Sequence, residues 1–65
     1  MTPIVTVFDP DGDVLLRVVL ASVPRRGDRV TVRAGARTHD LVVENARWLL
    51  TGASAEVEIR TRRPE

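Results

Sequence analysis

Asp40-Leu41-Val42-Val43-Glu44-Asn45-Ala46-Arg47-Trp48-Leu49-Leu50-Thr51-Gly52 fits two templates, and the choice between them decides the fold class. At a period of 3.6, Leu41, Val42, Asn45, Trp48 and Leu49 share a helical face, with Asp40 as N-cap and Gly52 as terminator. At a period of 2, Leu41-Val42-Val43-Glu44 and Arg47-Trp48-Leu49-Leu50 are strand pieces joined at a bulge near Asn45. The strand reading is preferred, because Thr38, Val42, Val43 and Trp48 suit a pleated surface and the flanking segments are strands themselves. A β-rich fold with one short helix around residues 41–51 is the alternative.

On the C-terminal side, Glu56-Val57-Glu58-Ile59-Arg60 alternates polar and apolar residues, and Arg62-Arg63-Pro64-Glu65 is expected to fray. On the N-terminal side, Arg29-Val30-Thr31-Val32-Arg33 alternates in the same way, with both valines inward, and Ala34-Gly35-Ala36 turns the chain. Pro24-Arg25-Arg26-Gly27-Asp28 lacks one backbone donor and carries a glycine, so it should end a strand and reverse direction. Before it, Val14 to Val23 is apolar except for Arg17 and Ser22, and both of its faces look buried, which points to a central or strongly curved strand. Ile4-Val5-Thr6-Val7-Phe8 and the turn residues Asp9-Pro10-Asp11-Gly12-Asp13 complete a hairpin with it. About five short antiparallel strands in one domain spanning residues 1–65 suit a small, partly closed barrel, which avoids two long exposed edges.

The chain has 65 residues, 43% of them hydrophobic, so it can build a core but with little margin over chain entropy. Without cysteine, neither disulfides nor thiolate zinc sites can supplement that core, which suggests a reducing interior. Met1-Thr2-Pro3-Ile4 has no basic or apolar leader character, and no apolar run approaches the roughly 20 residues of a membrane helix. The expected setting is the cytosol, or a virion released from one, with no membrane partner.

From Val14 onward the order of elements resembles a loose group of short, largely uncharacterised bacterial and phage-encoded proteins with an SH3-like small barrel. Pro24-Arg25, Gly27-Asp28-Arg29-Val30 and the strand carrying Leu41-Val42-Val43 and Trp48 carry that resemblance. It implies the barrel fold and fits an accessory or structural role in a phage or mobile element, whereas fold alone does not fix function. Ala34-Gly35-Ala36-Arg37-Thr38-His39 is longer than the tight glycine turn of that group.

All ten cations are arginine, and charge is segregated: residues 1–16 carry −3, 17–37 carry +5, 38–58 carry −3 and 59–65 carry +2. If Arg25, Arg26, Arg29 and Arg33 share a face, beside Arg60 and Arg62, they form a basic patch able to neutralise phosphates. The competing reading pairs outward arginines with Glu56 and Glu58 across the sheet. Trp48 is expected to be the largest packing contact of the core, with an exposed interface anchor as its other role.

The remaining candidates read as structure. His39, the single histidine, sits in a surface loop without a nucleophile or a set of metal ligands around it. Asp9, Asp11 and Asp13 form a solvated turn too short for a calcium loop closed by a distant glutamate. Arg26-Gly27-Asp28, although it spells an adhesion tripeptide, is a turn.

No catalytic residues, metal site or cofactor are expected. The leading functional expectation is a non-enzymatic protein–protein interaction or assembly module, acting on a protein partner or on a second copy, with Arg25, Arg26, Arg29, Arg33 and Trp48 as binding residues. The alternative is an arginine-rich nucleic-acid-binding barrel.

Overall fold

β-Branched residues at alternate positions commit five segments to extended backbone: β1 (Ile4–Phe8), β2 (Val14–Val19), β3 (Arg29–Ala34), β4 (Arg37–Leu50) and β5 (Ala55–Arg62). They belong to a computed structural model that describes residues 2–64, so the fraying expected of Glu65 lies outside the described residues, while Arg62 still belongs to β5. The segment that fitted two templates is strand throughout, and no helix occurs among the described residues.

The strands form one sheet in the order β2-β1-β5-β4-β3, curled so that its two outer strands approach each other as a half-barrel. The consecutive hairpins β1–β2, β3–β4 and β4–β5 are antiparallel as expected, but β1 and β5 run parallel, Val5 beside Val57 and Val7 beside Ile59. Two successive hairpins after the 20–28 loop fix the direction in which β5 returns to the centre of the sheet. That non-local pairing is what departs from the all-antiparallel expectation.

The core lies on the concave side, where Val5, Val7, Val32, Val43, Val57 and Ile59 pack together. Thr61 is the one buried polar residue of the described core, and its Oγ1–H donates to the Phe8 carbonyl at 2.6 Å, tying β5 to the end of β1. Around Glu44 the β4–β5 register skips, from Val43 opposite Thr61 to Asn45 opposite Arg60. This extra residue shifts the alternation by one, so that Leu41 and Val43 before the bulge and Ala46 and Trp48 after it all face the concave side.

β2 departs from its sequence reading. It ends at Val19 rather than Val23, and it is an edge strand, with Val14 and Val19 more than half exposed. Leu16 and Val18 pair with Val7 and Val5 and face inward, Leu15 at the register shift is half-buried against the core, and Val19 is left exposed beside Arg17. A long apolar run therefore marks an uncovered edge here rather than burial on two sides.

The turns are set by local chemistry. Asp9 Oδ1 accepts the N–H groups of Asp11 and Asp13, both at 2.9 Å, and Gly12 takes the positive φ of 95° after Pro10-Asp11, the pattern of a three-residue hairpin with a glycine bulge. Ala34 pairs with Arg37, so the β3–β4 loop is only Gly35-Ala36, tighter than the sequence suggested because strand pairing resumes at Arg37.

Candidate functional site

The Arg25–Asp28 turn is held from two directions. Asp28 N–H donates to the Arg25 carbonyl at 3.0 Å, the Arg25 N–H donates to Asp28 Oδ2 at 2.8 Å, and Gly27 occupies the positive-φ position at 92°. These are the features of a type II turn closed by its own carboxylate. The turn is then fastened to β4, because Gly27 N–H donates to the Val43 carbonyl and Val43 N–H to the Asp28 carbonyl, each at 2.8 Å. Arg26-Gly27-Asp28 is thus a structural turn, and Arg25 and Arg26 project from a fixed base with exposed side chains.

Facing this turn, across an open cleft of about 590 Å³, stand Asn45, Ala46 and Trp48 of β4, with the 21–26 loop forming the other wall. Trp48 points to the concave side, as its partner Val57 does, yet 50% of its surface is exposed. The expectation that it is the main core contact is corrected for a steric reason. β3 pairs with β4 only as far as Val42, and the 21–26 loop swings wide instead of covering the strand beyond the bulge. Leu50, in phase with Trp48, is 72% exposed.

The same length mismatch leaves a strand edge open. From Asn45 to Leu50, β4 pairs with β5 on one side and, among the described residues, has no backbone partner on the other. Sequence reasoning missed this edge, because it placed Arg37 to His39 in a loop and so did not give β4 the fourteen residues that outrun the six of β3.

The five residues singled out from the sequence do not share one face. Arg25, Arg26 and Trp48 line the cleft, whereas Arg29 and Arg33 lie on the convex side of β3 with Thr31, opposite Val42 and Thr38. A loop residue and a strand residue close in sequence need not point the same way, and the postulated continuous patch is divided as a result. Arg60 and Arg62 are on that convex side with Arg29 and Arg33, Arg62 opposite the same Val42 as Arg29, and the Arg60 guanidinium lies 3.8 Å from the centroid of the Phe8 ring. The expected Arg–Glu pairing holds for Arg17 and Glu56 at 3.1 Å; among the described residues, Arg25, Arg26, Arg29 and Arg33 have no ion-pair partner. The lining of the cleft contains two cations and no acidic side chain.

His39 lies in β4 opposite Val32, half-buried on the concave side, rather than in a surface loop, because pairing resumes so soon after Gly35-Ala36. Asp40 cannot orient its ring, since it faces the other way and accepts the Thr31 hydroxyl at 2.8 Å. Between β2 and β3 the half-barrel leaves a second, apolar groove of about 190 Å³ over Leu16, Val18, Val30 and Val32.

Comparison with known protein families, with curated proteins and with solved structures found no match for this chain.

Proposed function

We propose that this chain is a non-enzymatic protein–protein interaction module of SH3-like character whose contact surface is the cleft between Trp48 and the Arg25–Arg26 turn. The observation that carries the reading is the half-exposed Trp48 facing two arginines on a doubly fastened turn. Tryptophan and arginine are the residue types most enriched among the few that dominate binding energy, and a pre-set turn loses little entropy on binding. A domain this small has few large side chains to bury, so leaving its single tryptophan half exposed forgoes core stability in favour of a surface role. An accessory or structural part in a phage or mobile element, in the cytosol or a virion, suits a module of this kind.

The test is selection of displayed random peptides on the full chain, followed by counter-selection on Trp48→Ala. The reading expects peptides that bind the native chain and lose binding to the variant. Peptides that bind both equally would overturn it. Self-association is a variant of the same reading, motivated by exposed Val14 and Val19 on the edge strand β2, and light scattering across size exclusion at low and high salt decides it. A salt-resistant dimer supports it and a monomer at every concentration removes it.

The second reading, nucleic-acid binding, is motivated by Arg29 and Arg33, which are exposed together on the convex side of β3 without ion-pair partners among the described residues. No aromatic ring stands free there, since Phe8 is covered by the Arg60 guanidinium and Trp48 lies on the concave side.

A further inference from the structure

We propose that the partner is an acidic, extended segment of another protein, added as a strand to the free edge of β4 between Asn45 and Leu50; this rests on the cleft being the contact surface. Three observations converge on that chemistry. First, the edge of β4 beyond the bulge has no backbone partner among the described residues except β5, so its outward N–H and C=O groups are available to a second backbone. Second, the cleft that runs along this edge is roomy, at about 590 Å³, and open to solvent, so a chain can enter it without moving the sheet. Third, its charged lining is Arg25 and Arg26 alone, with no acid to balance them, while the Asp28 carboxylate is turned to the Arg25 N–H.

The geometry divides the work between backbone and side chains. Main-chain hydrogen bonds to β4 supply affinity for any extended segment and no sequence preference. Selectivity comes from the side chains of the added strand that face the concave side, at every second position: apolar ones reach Trp48, and carboxylates further along the same face reach the forked guanidinium groups of Arg25 and Arg26. A protein segment fits better than nucleic acid. Nucleic acid has no backbone able to continue a sheet, and Arg29 and Arg33, also without ion-pair partners among the described residues, point to the opposite side instead of extending the cationic track.

The experiment titrates the full chain with short blocked peptides, one repeating valine-threonine-glutamate-threonine so that valine and glutamate share a face and one with lysine in place of glutamate, with oligothymidylate as a third probe, reading the fluorescence of the single tryptophan. The expected result is binding of the valine–glutamate peptide at least about tenfold tighter than the valine–lysine one, a preference that Arg25→Glu with Arg26→Glu inverts. N-methylation of alternate peptide amides, which removes backbone donors and keeps every side chain, should weaken binding by a similar factor, about tenfold. Circular dichroism of the double variant verifies that these exposed loop changes leave the fold intact.

Equal binding of the two peptides, insensitivity to N-methylation, or no binding of the valine–glutamate peptide overturns this inference. The interaction-module reading survives any of those results as long as displayed peptides still bind in a Trp48-dependent way. Oligothymidylate binding that needs Arg25 and Arg26, with no Trp48-dependent peptide recovered, overturns both.

Discussion

Trp48 and Val57 are direct cross-strand partners on the concave side of the sheet, and Val57 is wholly buried while Trp48 is half exposed. The boundary of the core therefore passes between two adjacent residues on neighbouring strands. Everything on the Val57 side of it serves stability, and the surface on the Trp48 side remains free for contact.

Trp48→Ala should accordingly cost little for so large a deletion, about 1–2 kcal/mol, because only part of the ring leaves an apolar environment. Ile59→Ala, at a position 1% exposed, should cost about 2–5 kcal/mol, enough to bring a domain of this size close to unfolding. Urea titrations followed by circular dichroism compare the two. A larger loss for Trp48→Ala would mean that the ring is packed and the cleft closed.

Gly27→Ala tests the fastened turn. Nothing lies near enough to collide with an added methyl group, so the expected loss of about 1–2 kcal/mol comes from the positive φ of 92° alone. Faster amide exchange at Val43, whose N–H is bound to the turn, should accompany it. Unchanged stability and exchange would show that the turn adopts another conformation.

Thr61→Val preserves shape and removes the hydroxyl that donates to the Phe8 carbonyl at 2.6 Å. Leaving that carbonyl without its donor at a part-buried position should cost about 1–3 kcal/mol. Chemical denaturation measures the loss. A neutral result would contradict the way β5 is tied to the end of β1.

Glu44 is the extra residue of the bulge, so deleting it leaves Asn45 directly after Val43 in plain alternation, with Ala46 and Trp48 still on the concave side and Arg47 and Leu49 still outward. The shortened chain should keep a cooperative thermal transition and the Trp48–Val57 pairing. Loss of that transition would mean that the bulge is needed for the curl of β4 and not only for its side-chain phase.

Much of the architecture was legible in the residues themselves. Alternating valines in Arg29–Arg33 and Glu56–Arg60, the Asp9–Asp13 turn residues and the doubled apolar phase around Glu44 are local signals, and each corresponds to a strand, a turn or a bulge. What was not legible is non-local. Which strand lies beside β1, and in which direction, depends on how two later hairpins return the chain. Val14–Val19 could not reveal itself as an edge, because apolar residues there look the same whether or not another strand covers them. The site was half legible for the same reason: Arg25, Arg26 and Trp48 meet, but only the early end of β3 pairing exposes Trp48, and the loop-to-strand change at Arg29 sends Arg29 and Arg33 to the far side.

The most direct test of the account is a residue-resolved footprint: amide and indole resonances of the isotopically labelled full chain, recorded while a peptide selected on that chain is added. The account predicts that the largest shifts fall on the Trp48 indole, on Asn45 to Leu50 and on Arg25 to Gly27, with Arg29, Thr31 and Arg33 nearly still. Shifts concentrated on the convex side of β3 or along β2, with Trp48 unmoved, would contradict it.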